Sequence, residues 1–270
     1  FKSRQGFLCL GVGRVRNIKL TVAYDGTGYY GFQEQRGTGL PTVQEVLEAA
    51  LSKMAGSYIQ VYGAGRTDSG VHARGQVVNF DCTKWPVPTE RLALAINGAL
   101  PDDIAAVKAE DVERDFHARF SARGKTYLYR VYNTNVPSPF EKRYSHFMPS
   151  SLDTGAMEKA AALLEGTHDF KTFQAAHSPV RNTIRTIFQT AVYRESNVVY
   201  FSFTGDGFLY NMVRIMAGTL LEIGQGKCSP ASMSDIISAR DRTAAGPTVP
   251  GRGLFLERVY YNPLQKSTET

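Results

Sequence analysis

From Asn17 to Asp25 the chain reads NIKLTVAYD, apolar and polar residues alternating as on a half-buried strand, and Asp25-Gly26-Thr27-Gly28 ends the run as a turn. A second pattern starts after Pro41. Thr42 and Glu45 stand three apart as in a capping box, and Val43, Val46, Leu47, Ala50, Leu51 and Met54 recur at helical spacing up to a closing Gly56. Tyr58–Tyr62 and Gln76–Cys82 read as strands on either side of a glycine-rich loop, Thr89–Gly98 as a helix and Ile104–Val112 as a strand. The second half repeats this rhythm. A strand is predicted over Lys125–Asn133, an alanine-rich helix over Ser151–Glu165, and two long strands over Arg181–Glu195 and Asn197–Asp206, with a tight turn at Ser196. A helix over Phe208–Ile223, another over Pro230–Ala239 and a strand over Leu254–Tyr261 close the chain.

Strands and helices therefore fall into two comparable groups, an N-terminal half at 17–113 and a C-terminal half at 114–265. Frequent hairpins and alternating strands predict an α+β protein, two similar halves with mainly antiparallel sheets flanked by helices around a central basic cleft. No low-complexity linker parts the halves. Residues 1–16 read as an N-terminal extension that need not be native, because globular patterning begins only near Asn17, and residues 266–270 as a tail.

With hydrophobic residues at 43%, a packed core is expected and global disorder is not. Thirty-one Lys and Arg against 25 Asp and Glu leave a net charge of +6, which favours a polyanionic partner without requiring one. The basic residues lie in both halves, so a nucleic acid would meet a folded groove. Cys9, Cys82 and Cys228 are widely separated, and the five histidines show no HxxxH spacing. Neither a metal site nor a disulfide framework is expected, and reduced thiols in a cytoplasm are the simple reading. No apolar run reaches the roughly 20 residues that span a bilayer. The apolar stretch before Gly13 is short, glycine-rich and without an Ala-x-Ala cleavage site, so secretion is not expected either.

Two familiar nucleotide motifs fail on inspection. Gly224-Gln-Gly226-Lys227-Cys228-Ser229 has Leu221 where a phosphate loop needs its first glycine, and Cys228 where it needs Ser or Thr. Gly63-Ala-Gly65 lacks the third glycine of a dinucleotide fingerprint, because Asp68 stands there.

That same loop carries the chemistry. Gly63-Ala-Gly-Arg66-Thr-Asp68-Ser-Gly70-Val-His72-Ala-Arg74-Gly75 packs four glycines, two arginines and one carboxylate into 13 residues between two strands. Such a loop brings backbone close to a ligand, and a carboxylate held there can attack a sugar or base carbon or move a proton. An isolated Asp-Ser-Gly is usually an Asx-turn. Arginines two residues before Asp68 and six after it shift that reading, since a plain turn does not require them.

Five segments in series make the sequence similar to the bacterial tRNA pseudouridine synthase A family. Tyr24-Asp-Gly-Thr-Gly-Tyr-Tyr-Gly-Phe-Gln-Glu-Gln35 resembles its opening strand and turn, and Gly63–Phe80 its catalytic loop and following strand. Phe116-His-Ala-Arg119-Phe-Ser-Ala-Arg123-Gly-Lys125-Thr-Tyr127-Leu-Tyr129, Phe208-Leu-Tyr-Asn-Met-Val-Arg214 and Gly253-Leu-Phe-Leu256 complete the set. Phe32 stands where the family usually has Trp, which reads as a packing exchange in a residue outside the Gly63–Gly75 loop.

The resemblance implies a pseudouridine synthase fold and an enzyme that isomerises uridines 38 to 40 of the tRNA anticodon stem-loop. It would act on a flipped base, as a homodimer, without metal or cofactor. Asp68 would be the catalytic aspartate; attack on the base, attack on the sugar and proton abstraction stay open as its chemistry. Arg214 is unusual in its own right. The other charge in Phe208–Ile223 is Glu222, eight residues and roughly 12 Å further along the axis, so the guanidinium needs a partner from elsewhere or an exposed face. By resemblance that partner is Asp68. Tyr127 would stack on the target base and Leu256 would line the pocket, although each equally suits ordinary packing. Arg66, Arg74, Arg119, Arg123 and Lys125 would meet the RNA, and His72 reads better as a structural hydrogen-bonding histidine. Two other function classes stand beside this one. A non-catalytic RNA-binding protein or chaperone would not need Asp68, Tyr127 and Arg214 together, and a nucleobase glycosylase would release free uracil.

Overall fold

The computed structural model describes residues 15–33, 39–82, 85, 87–176 and 180–264. Most of the extension at 1–16 with Cys9, the motif residues Glu34 and Gln35, His177 and the tail at 266–270 lie outside the described residues.

Among the described residues ten strands form one sheet: β1 (Arg16–Tyr24), β2 (Tyr62–Gly63), β3 (His72–Cys82), β4 (Ile104–Val112), β5 (Gly124–Asn133), β6 (His146–Met148), β7 (Gly166–Asp169), β8 (Ile184–Glu195), β9 (Val198–Gly205) and β10 (Leu254–Tyr260). Its main path runs β4-β1-β3-β10-β5-β9-β8-β7, with β2 beside β3 and β6 beside β5. Pairing is antiparallel except where β10 meets β3 and β6 meets β5. The α+β, mainly antiparallel architecture expected from the alternating strands is thus the observed one. The last strand is the seam. Phe255 and Leu256 pair with His72 and Ala73 on one side and with Leu128 and Tyr127 on the other, so the two halves share a continuous sheet.

The described residues form five α-helices beside the sheet: α1 (Val43–Ala55), α2 (Thr89–Asn97), α3 (Thr154–Ala162), α4 (Met212–Gly224) and α5 (Ser232–Ala239). α1 forms with its full capping box, Thr42 accepting from the Glu45 amide and Glu45 reaching back, and it ends at a left-handed Gly56. α4 is buried at every position except Arg214 and Glu222, as befits a helix that is apolar nearly all round. Among the described residues no helix is long and apolar enough to cross a membrane.

Several element boundaries differ from the periodicity. Tyr58–Val61 is not a strand, although it alternates. The amides of Ile59 and Val61 are taken by the side chains of Ser52 and Glu48 on α1, which leaves only Tyr62 and Gly63 to pair with β3. β3 begins at His72, four residues before the expected start, because Ala73 pairs with both β1 and β10. α4 begins at Met212 instead of Phe208. Asn211 has a φ of 60°, a left-handed conformation that Asn tolerates and that cuts the helix from the segment before it. α3 and β8 are each shorter at their N-terminal ends than the pattern implied, and the short β6 and β7 carried too little periodicity to be read at all.

Candidate active site

The loop from β2 to β3 is shaped mostly by backbone. Asp68 to Val71 form a turn closed by the Val71 amide on the Asp68 carbonyl at 3.1 Å, with Gly70 at a φ of 72° where the turn requires glycine. The Asp68 carboxylate does not cap this turn; its oxygen accepts from another element. Behind the loop the Phe32 amide donates to the Thr67 carbonyl at 3.1 Å, and the Thr67 and Tyr24 hydroxyls meet at 2.8 Å. The Gln76 amide holds the Gly65 carbonyl at 2.9 Å. The opening motif therefore serves as the back support of the loop that carries Asp68.

Asp68 Oδ2 lies 3.1 Å from Arg214 Nη1, which reaches it from the first turn of α4. The same guanidinium donates from Nε to the Val249 carbonyl and from Nη1 to Asn211 Oδ1, both at 2.7 Å. Asn211 thus does two things. Its left-handed backbone starts α4 at the right place, and its side chain orients the arginine. The pair is neither sealed nor adrift, with side chains 27% exposed for Asp68 and 18% for Arg214.

Both residues line a cleft of about 670 Å³, together with Arg66, Arg119, Lys125 and Tyr127. β5 contributes two of these on one face, Lys125 and Tyr127. The Tyr127 ring meets Phe208 edge-on at 5.1 Å, and burial, with Tyr24 and Asp68 nearby, pushes its phenol well above the usual tyrosine range. Lys125 lies against the loop that carries Asp68, since a Cβ at Gly65 would be 2.9 Å from its Nζ. Burial first and the charge of Arg119 second push its amine down to about 8. Arg66 is exposed at the rim, where it bonds the Gln33 side chain. Among the cleft-lining residues Asp68 is the lone acid, facing the cations Arg66, Arg119, Lys125 and Arg214.

Three expected site residues stand elsewhere. Leu256 does not line the cleft. It is fully buried at the seam, opposite Tyr127 and Ala73, and Leu254, two residues earlier on β10, lines the cleft instead. Arg74 points away from the cleft, pairs with Glu257 at 3.4 Å and lies over the Phe255 ring. Arg123 is exposed at the start of β5 and also lies off the cleft lining. His72 has a structural place. It is buried, its Nδ1 accepts from the Gly26 amide at 3.1 Å, and its Nε2 faces the carbonyls of Arg143 and Arg252. Burial lowers its basicity, which suits an imidazole whose Nδ1 is an acceptor.

Sequence reasoning missed Asn211, Phe208 and Val249. Asn before an apolar helical run is an N-cap signal that could have flagged Asn211. A carbonyl partner such as Val249 leaves no mark in a sequence. Among the described residues no cluster of His, Cys, Asp or Glu has the makings of a metal site.

The family model described as tRNA pseudouridine synthase matches residues 20–121 and 160–262. A tRNA pseudouridine synthase A of Moorella thermoacetica is 50% identical over 244 residues, covering 90% of this chain and 99% of the relative. One from Geobacillus kaustophilus is 46% identical over 247 residues, covering 91% and 95% respectively. Among solved structures, a chain of a Cbf5-Nop10-Gar1 complex aligns over 76% of this chain and 45% of its own, at 14% identity and a TM-score of 0.35.

Proposed function

Because this chain belongs to the bacterial tRNA pseudouridine synthase A family, and is thereby a tRNA pseudouridine synthase and an isomerase, we propose that it acts on uridines 38 to 40 of the anticodon stem-loop with Asp68 as its catalytic carboxylate. The observation that carries this reading is the Asp68–Arg214 salt bridge, a single acid held by a guanidinium in a cleft whose other charged lining residues, Arg66, Arg119 and Lys125, are all cations.

The reaction exchanges one bond to ribose for another. N1–C1′ breaks, C5–C1′ forms, the C5 proton leaves to water and N1 takes one up, so the balance needs no oxidant or reductant. Asp68 meets the everted nucleotide at that linkage. Arg214 positions the carboxylate through its planar fork, since Val249 and Asn211 fix the guanidinium before substrate arrives. Tyr127 offers its ring to the uracil, backed by Phe208. Arg66, Arg119 and Lys125 hold phosphates next to the cleft, with Arg74 and Arg123 as outer contacts. A homodimer in the cytoplasm belongs to the same proposal, and sedimentation equilibrium checks the first part of it.

Incubation with tRNA tritiated at uridine C5 tests the reading. Release of tritium with unchanged chain length and no free uracil is expected, whereas free uracil would mark a glycosylase, and binding without release would mark a non-catalytic RNA-binding protein. Mapping the product should find pseudouridine at positions 38 to 40; modification confined to another arm would overturn that assignment. Asp68→Asn should abolish release yet keep most tRNA affinity, which rests on phosphate contacts. Turnover comparable to wild type by that variant would remove Asp68 from the mechanism.

A further inference from the structure

One part of the cleft is built from rings that the isomerisation leaves unused. Tyr62, His117 and Phe120 all line it and follow one another in contact, with centroids 5.3 Å apart between Tyr62 and His117 and 4.4 Å between His117 and Phe120. Arg119 extends the row, its Cζ 5.9 Å from the Phe120 centroid. Phe120 is 77% exposed and Tyr62 40%.

A loose surface loop does not explain that exposure, because the turn is anchored from beneath. Ala118 is fully buried; its amide donates to Asn79 Oδ1 at 2.8 Å, and its carbonyl accepts from the Tyr261 hydroxyl at 2.9 Å. The His117 amide bonds Ser121 Oγ, the Ser121 amide bonds the His117 carbonyl, and the Arg119 amide donates to His117 Nδ1. The fold thus fixes the backbone and holds a phenyl ring out to water. A single exposed phenylalanine would need no account, but a continuous aromatic row at the mouth of a cationic cleft is a different object.

We propose that Tyr62, His117 and Phe120 form a stacking ledge for an unpaired nucleobase adjacent to the uridine that enters the cleft. The inference rests on the RNA-modifying reading above and adds a subsite to it. Everting a uridine breaks its stacks and uncovers the face of its neighbour, and every base presents a π-face that aromatic rings and guanidinium planes accept. The charges agree. The ledge continues into a lining with four cations and one acid, where the phosphates on either side of a stacked base would lie.

The test uses anticodon stem-loop RNA with 2-aminopurine next to the target uridine, on the 5′ side in one preparation and on the 3′ side in another. Wild type should quench one of the two on binding. Phe120→Ala should lose most of that quenching and raise KM about tenfold, more than it changes kcat. Phe120→Trp should restore both, whereas Phe120→Leu, which offers bulk without a π-face, should restore neither. Melting temperature should stay unchanged, given the exposure of the ring. The ledge is refuted if wild type quenches neither base, if Phe120→Ala leaves quenching and KM unchanged, or if Leu serves as well as Trp. A shift of Phe120→Ala to a smaller oligomer, in step with its KM, would instead assign the rings to a contact between copies of this chain. Failure of the underlying reading has a separate signature: wild type would quench or not as before, yet free no tritium from C5-labelled RNA.

Discussion

The two walls that meet at the Asp68–Arg214 salt bridge hold their charges by different physics. The loop wall, Gly63–Val71, is set by backbone hydrogen bonds and by close approach of neighbouring main chain. A Cβ at Gly31 would stand 2.5 Å from the Thr67 carbonyl oxygen, and one at Gly251 would stand 2.8 Å from that of Ser69. The helix wall is set by apolar burial. Met212, Val213, Ile215 and Met216 are all buried around Arg214, so the guanidinium is aimed by the core itself and trimmed by Asn211 and Val249. The chemistry proposed for this site therefore depends on a shape that side-chain packing enforces on one side and glycine permits on the other. Changes on the two sides should fail differently.

Removing the helix wall's charge should have the larger effect. Arg214→Met leaves the core of α4 in place but strips the carboxylate of its one described partner and leaves the Val249 carbonyl and the Asn211 side chain without a donor. Turnover should fall about a hundredfold or more, because a misplaced reacting group costs that much even without unfolding. Arg214→Lys restores the charge without the planar fork and should recover little of the loss. Single-turnover rates on tRNA check this, with melting temperature measured alongside. Rates within threefold of wild type for Arg214→Met would sever the arginine from the function of Asp68.

The same contrast explains what could be read from the sequence. Arg214 was legible because a charge on an otherwise apolar helix is an anomaly that only a partner resolves, and the run of residues around it that the core fixes is long. Asp68 was legible through the density of glycine and arginine around it. The strands with sustained alternation came out near their true limits, as β4 did at both ends. What stayed hidden depends on contacts between distant segments. Tyr58–Val61 alternates like a strand but gives its amides to α1, and Leu256 shares an apolar motif with Leu254, although β10 puts only the latter against the cleft. Likewise nothing local to Arg74 announces Glu257, 183 residues away. Patterns report what a residue prefers; they do not report which surface reaches it.

On the loop wall, Gly31→Ala separates shape from chemistry. Gly31 has a φ of 83°, and an added Cβ would press on the carbonyl of Thr67, the residue before Asp68. The left-handed backbone and the clash together should destabilise the protein by about 1–3 kcal/mol. Turnover should fall about tenfold at temperatures where the protein remains folded, since the carboxylate shifts against a guanidinium that does not. Denaturant unfolding and single-turnover rates read the two effects apart. Lost stability with unaltered turnover would show that the loop tolerates displacement and that its backbone support is dispensable for catalysis.

Lys125 gives the smallest and most specific break, because it belongs to β5 yet touches the loop wall at Gly65. Its amine, ordinarily near 10.5, is pushed down to about 8 by burial and by Arg119, so in the free enzyme it carries charge below that pH and loses it above. The cation proposed to hold phosphate is thus present at neutral pH and absent in mild alkali. kcat/KM, which reports the free enzyme, should bend downward near pH 8 in wild type. Lys125→Met should lower kcat/KM about fivefold at pH 7, in keeping with loss of one phosphate contact, and should show no such bend. The ratio of wild type to variant should accordingly shrink toward one as pH rises past 8. In the complex, phosphate favours the charged amine, so the corresponding bend in kcat should move to higher pH or vanish. A wild-type-to-variant ratio that stays constant from pH 7 to 9 would mean that Lys125 supports the loop by packing alone.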